Sequence, residues 1–240
     1  MSDRSVKLEV CVDSVDGLEA AIAGGADRIE LCSSLALGGL TPGPGLMQAA
    51  ANASVECHAM IRPRPGDFIA TSGDRQAMLT DIAAAQQLGL AGVVLGALHA
   101  DASLDDVTLQ VLVDASGAME KTLHRVFDLV ADPSAALDSA IAMGFTRILT
   151  SGQAVAAPEG TAVLERMVKQ AAGRIQIMAG GGVTVDSVPS LLSTGVDAIH
   201  ASCGKHVSPP MDCSLIGIQG RRMTDEALVT QFKDQLSGSQ

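Results

Sequence analysis

Two short segments, Glu9-Val-Cys11 and Glu30-Leu-Cys32, each place a carboxylate and a thiol two residues apart within a β-rich run. In an extended strand that spacing puts both side chains on one face. The same parity groups His58, Met60 and Arg62 in a third run, Thr122, His124, Val126 and Asp128 in a fifth, and His200 with Ser202 in an eighth. Thiols and thioethers are soft donors and suit a soft metal ion. Carboxylates and imidazoles crowded into a cleft are also the material of acid/base catalysis, for which Glu9, Glu30, His58, His124 and Asp128 are candidates. Arg62 and Arg125 are candidate anion partners, with Gly180, Gly181, Gly182 and Ser202 as anion-binding backbone and side chain. Consecutive glycines let amides approach an anion, and they equally suit a tight turn that needs positive φ.

Such residues need elements to hold them. β-rich runs fall at 8–12, 28–32, 56–61, 92–95, 122–126, 147–150, 175–178 and 198–201. Between consecutive runs there is room for one crossover helix, as parallel βαβ units require. Asp132-Pro133 reads as an N-cap followed by a proline in the first helical turn, and Gly144 closes that helix. Thr41-Pro42 and Thr184 mark further helix starts, Gly89, Gly117 and Gly195 mark helix ends, and a C-terminal helix is expected around 224–236 after Ser208-Pro209-Pro210.

A repeat runs through this pattern. Gly25-Ala-Asp-Arg-Ile, Gly89-Leu-Ala-Gly-Val, Gly144-Phe-Thr-Arg-Ile and Gly195-Val-Asp-Ala-Ile share one layout and precede every second run. A closed eight-stranded barrel fills its interior in layers drawn from alternate strands, which produces such a beat. The expectation is a single-domain (β/α)8 TIM barrel over residues 1–240, with the barrel at about 6–205 and a loop and helix at 206–240; an open doubly wound sheet also accommodates the spacing. Outer strand faces pack under helices, so the Glu, Cys, His and Arg sets point inward. There they form either a functional pocket or a structural ion-pair plug.

Composition narrows the partners. With 27 acidic and 16 basic residues the net charge is −11, which argues against nucleic acid and anionic membranes as partners. No apolar run reaches the ~20 residues of a bilayer span. The chain has no Trp or Tyr and only four Phe, so its core must be aliphatic. Five scattered cysteines do not read as a disulfide framework, and the opening residues lack a signal peptide's hydrophobic region; both point to a reducing, cytoplasmic setting.

Several motifs, taken in order, resemble the CutC family of copper homeostasis proteins. They are Leu8-Glu-Val-Cys-Val-Asp-Ser14, Gly25-Ala-Asp-Arg-Ile-Glu-Leu-Cys-Ser33, Gly38-Gly-Leu-Thr-Pro42, Met60-Ile-Arg-Pro-Arg64 with Gly66-Asp-Phe68, Leu123-His-Arg-Val-Phe-Asp128, Arg147-Ile-Leu-Thr-Ser-Gly152, Met178-Ala-Gly-Gly-Gly182 and His200-Ala-Ser202. Pro65 and Ala179 depart from the pattern, standing where glycine and proline are expected. The resemblance spans about residues 6–205 and implies a TIM barrel, a cytoplasmic location, homo-oligomers and Cu(I) binding. It also implies Cys11 and Cys32 as copper ligands, and parity places the two thiols on adjacent strands where they could share one ion, with His58 and Met60 nearby. Buried free cysteines are more often small hydrophobes than ligands. Cys57 faces outward by parity, and Cys203 and Cys213 lie in loop-like sequence, so none of the three is a ligand candidate. The alternative is a metal-independent barrel enzyme acting by acid/base chemistry on a small anionic, phosphorylated substrate.

Overall fold

A computed structural model describes residues 5–211, 215 and 220–238. Eight parallel strands close into a barrel in sequence order: β1 (Lys7–Val12), β2 (Arg28–Leu31), β3 (Glu56–Met60), β4 (Gly92–Leu95), β5 (Glu120–Leu123), β6 (Arg147–Thr150), β7 (Gln176–Gly180) and β8 (Ala198–Ala201), with β1 pairing back onto β8. The open-sheet alternative is thereby removed. Crossover helices α1 (Val15–Ala23), α2 (Pro44–Ala50), α3 (Ser72–Gln87), α4 (Asp106–Ala115), α5 (Pro133–Met143), α6 (Thr161–Ala171) and α7 (Val188–Leu192) cover the outside. The main apolar core lies between strands and helices, where Leu8, Val10, Ile29, Leu31, Ile177 and Ile199 are fully buried. The opposite strand faces carry the polar residues into the barrel. Cys57 points into the outer core, as its parity requires.

The four repeat glycines, Gly25, Gly89, Gly144 and Gly195, all have φ between +75° and +90°. Each ends a helix in the left-handed region and turns the chain into the next even-numbered strand. Asp132 caps α5 by accepting from the amides of Ser134 and Ala135, with Pro133 in the first turn. Helix α2, however, starts at Pro44 rather than beside Thr41-Pro42.

Two further departures bear on the site. Strand β5 ends at Leu123, earlier than expected, because the His124 ring accepts from the Val126 amide and starts a 3-10 turn over Arg125–Leu129. The alternation that grouped Val126 and Asp128 with His124 therefore stops at the strand end. After β8 the chain forms an antiparallel hairpin, β9 (Gly204–Val207) with β10 (Arg221–Thr224), so Thr224 is a strand residue. The final helix α8 (Glu226–Ser237) begins after the N-cap Asp225. Cys213 lies outside the described residues.

Helix α8 packs back on the start of the barrel. Val229, Phe232 and Leu236 are buried, and Lys233 Nζ bonds Asp27, which itself accepts from the Leu8 amide at 2.7 Å. A Cβ added to Gly24 would stand 2.5 Å from Val229 Cβ and 2.8 Å from the Glu226 carbonyl. Gly24→Ala should therefore push α8 off its seat and lower stability by about 1–3 kcal/mol in urea unfolding. An unchanged midpoint would contradict this docking.

Candidate functional site

The lower barrel interior is held by two buried arginines. Arg28 pairs with Glu9 at zero exposure for both, and its Nη2 lies 3.5 Å from Met178 Sδ. Arg147 bonds Glu120 at 2.8 Å, Thr122 Oγ1 at 3.0 Å and Gln176 Oε1 at 2.9 Å. A buried guanidinium is tolerated only with this degree of pairing. His58 lies beside this group, 3.7 Å from Glu120, its ring over Gly92, where a Cβ would come within 2.8 Å. Neither ring nitrogen has a hydrogen-bond partner, and burial pushes its pKa down to about 4. These ion pairs lie in the lower interior, and His58 sits among them.

Above the plug, His200 lies between two carboxylates. Its Nδ1 is 2.8 Å from Glu9 Oε1 and its Nε2 is 3.8 Å from Glu30 Oε2. Burial opposes its charge, but the Glu30 carboxylate and the Cys11 sulfur outweigh that and raise its pKa well above the usual imidazole value. Burial would also raise Glu9, yet Arg28, then His200, hold its carboxyl well below the ordinary range. Glu30 lacks an arginine partner; burial raises its pKa, and its Oε1 has no hydrogen-bond partner. Donor atoms of Cys11, Glu30 and His200 all lie within 4.8 Å of one another.

The barrel stagger offsets the two thiols along their strands. Cys11 pairs in register with Glu30, and Cys32 lies two residues further along its strand. Cys32 packs with Met60 and Val94 and directs its sulfur at Glu30 Oε2, 3.4 Å away. Burial, then the Glu30 charge, raises the Cys32 pKa well above that of an ordinary thiol.

The interior opens into a cavity of about 760 Å³ at the C-terminal ends of the strands. Cys11, Glu30, His124, Arg125, Gly181 and His200 are among its lining residues, as are Arg62, Gly182 and Ser202. Glu9, His58 and Asp128 do not line it. Arg62 is held by the carbonyls of Leu37, Gly39 and Gly66 and stacks on the Phe68 ring at 4.8 Å, so most of its donors are occupied. Asp128 accepts from Thr150, from the amides of Ser151 and Gln153 and from Arg125 Nε, and so organises the rim. Gly180 ends β7 against Leu149 and His200.

His200, Arg28 and Arg147 were absent from the candidate set. A polar residue opening a strand reads as exposed, yet Arg28 shares parity with Glu30, and Arg147 occupies the same place in the glycine repeat. His200 carries the same parity signal in β8 and faces Glu9 across the β1–β8 ladder. Those register relations appear only when the barrel closes.

Burial, then Arg62, pushes the His124 pKa down to about 3. In the unfolded chain both His124 and His58 titrate near 6.5. Between pH 6.5 and 4 the unfolded chain takes up protons that the folded chain refuses, so stability falls as pH drops, approaching about 1.4 kcal/mol per unit for each histidine. His200, whose contribution is already complete below 6.5, and Glu30, whose raised pKa lets the folded chain take up its proton first, have the opposite sign. In urea unfolding, the change in stability from pH 7 to 5 should be less destabilising in His124→Asn, which keeps a capping oxygen, than in wild type by about 2 kcal/mol. The same pH dependence in variant and wild type would contradict a neutral buried His124.

The CutC family model matches residues 6–205. A CutC protein of Rhizobium meliloti (strain 1021) is 50% identical over 236 residues, covering 96% of each chain. Another from Caulobacter vibrioides (strain NA1000 / CB15N) is 49% identical over 221 residues, covering 92% of this chain and 90% of the relative. The solved structure of a CutC protein from Streptococcus agalactiae, named for copper homeostasis, superposes with a TM-score of 0.78 at 30% identity, covering 82% of this chain and 98% of that one. The chain belongs to the CutC family.

Proposed function

We propose that this protein handles copper by binding Cu(I) between Cys11 Sγ and the Nε2 of His200, with Glu30 beside the ion. One observation carries the reading: a thiol, an imidazole and a carboxylate from β1, β8 and β2 converge within 4.8 Å inside the barrel. First-row metals bond sulfur at about 2.3 Å and imidazole nitrogen at about 2.0 Å, so two donors flanking an ion stand at most ~4.3 Å apart. The side chains thus need only a small adjustment to close on one. Glu9 supports the same assignment, because a carboxylate on Nδ1 leaves Nε2 for the metal and fixes the ring's orientation. The soft thiol favours Cu(I), and imidazole suits copper as well.

Cys32 takes a supporting role in this reading, as the thiol behind Glu30. The four described cysteines are all free and buried, which fits a reducing compartment and supports a cytoplasmic location. No helix among the described residues is long and apolar enough to cross a membrane.

Anaerobic Cu(I) titration against a competing chelator distinguishes the roles. Cys11→Ser should weaken binding by more than a hundredfold. Glu9→Gln, one step removed from the metal, should cost about 10–100-fold. Cys32→Ser should cost less than Cys11→Ser. Wild-type affinity in Cys11→Ser would defeat the site, and equal losses from the two cysteine variants would replace it by a two-thiol pair.

A further inference from the structure

The cavity has a second end that the copper reading does not use. Among the described residues, the amides of Gly181, Gly182 and Val183 find no acceptor, whereas the next one, Thr184, is satisfied by Ser187 Oγ at 3.0 Å. This is not a self-satisfied turn. Gly181 and Gly182 have φ of +102° and +62°, and the Gly181 carbonyl accepts from the Ala157 amide, which fixes the loop.

Arg125 is aimed at the same place. Its Nε is held by Asp128 at 2.8 Å and its Nη2 by Ser151 Oγ at 3.0 Å. Its Nη1 has no partner among the described residues and lies over Gly181, 2.7 Å from where a Cβ would stand. A guanidinium oriented by two fixed acceptors, with its remaining nitrogen beside three unused amides, is a preorganised oxyanion receptor.

Two independent observations point the same way. His124, 4% exposed, lines the cavity, and because its Nδ1 accepts from the Val126 amide its Nε2 must carry the proton; that donor has no partner. Charge is the second. The chain carries −11 overall, yet four of its eleven arginines, Arg62, Arg125, Arg221 and Arg222, line this one cavity against two carboxylates, Asp13 and Glu30. Such a cationic cleft in an acidic protein draws small anions.

We infer that the barrel mouth binds a tetrahedral oxyanion of the phosphate class, seated on the Gly181, Gly182 and Val183 amides and Arg125 Nη1. The ligand is either free phosphate or the phosphate group of a small organic molecule. A volume of about 760 Å³ leaves room for an organic portion reaching toward His124 and Glu30. The site stands apart from the Cu(I) reading, since its donors come from the β5–α5 and β7–α7 connections and include no thiol.

The test is calorimetric titration of the full chain with inorganic phosphate and, separately, with glycerol phosphate, at fixed ionic strength in chloride. Both should saturate at one per chain and compete with each other, and the tighter of the two assigns the source. Gly181→Val drives a branched side chain into the Arg125 guanidinium and should weaken both by at least tenfold; Arg125→Met should do the same. Cu(I) affinity should stay within about twofold in both variants. Should Gly181→Val, whose side chain is also strained at a φ of +102°, melt far below wild type, Arg125→Met carries the test, and Arg125→Gln replaces Arg125→Met if that variant melts. Non-saturating uptake by wild type, or undiminished affinity in folded variants, would overturn the inference. Loss of Cu(I) binding in Cys11→Ser with phosphate binding intact would separate the two ends of the cavity.

Discussion

The buried chain Arg28–Glu9–His200 is the constraint on which the rest of the interior depends. Glu9 and Arg28 have no exposed side-chain surface, so neither charge has water to fall back on. Removing one member of such a pair costs about 3–5 kcal/mol, whereas replacing both by packed hydrophobes is often neutral. Stability alone therefore gives little reason to fill a barrel with ions where Val, Ile and Leu would serve. What the ions add is orientation. Glu9 spends one carboxylate oxygen on Arg28 and the other on His200, and the ring is thereby fixed with its second nitrogen toward Glu30 and Cys11.

From that point the interior divides by depth. Below, Arg147 with Glu120, Thr122 and Gln176 closes the barrel with satisfied polar contacts. Above, Glu30 Oε1 and His124 Nε2 line or border the cavity without donors or acceptors to meet them. Buried polar groups are almost always satisfied in native structures, and the exceptions here fall at both depths: Arg28 Nη1 and both His58 ring nitrogens below, Glu30 Oε1, Arg62 Nε and His124 Nε2 at the cavity. The glycine opposite His58 and the glycine opposite His124, Gly92 and Gly96, make the two ring positions possible, since a Cβ at either would stand within 2.8 Å of an imidazole.

Much of the frame was legible from residues alone. The recurring glycine before every second strand reports a backbone requirement, positive φ at a helix end, and all four positions obey it. Strand faces followed because period two is a local rule, which is why Cys57 could be set aside and Glu30 retained. The rest depended on closure. Whether Cys11 meets Cys32 or Glu30 is a matter of register between strands, and the stagger of a closed barrel sets it. Likewise β8 meets β1 only after the full circuit, which brings His200 to Glu9 across 191 positions. The early end of β5 was hidden for another reason: a histidine acting as a helix cap is not distinguishable by type from one on a strand.

The proposed copper site is built from one thiol and one imidazole that Glu9 orients, rather than from two thiols. X-ray absorption at the copper edge of Cu(I)-loaded protein, prepared without oxygen at one ion per chain, measures this directly. One sulfur at about 2.3 Å is expected, together with a nitrogen donor showing the outer-shell scattering of imidazole, and that imidazole signature should be lost in His200→Gln. A shell of two sulfurs with no imidazole contribution would contradict it.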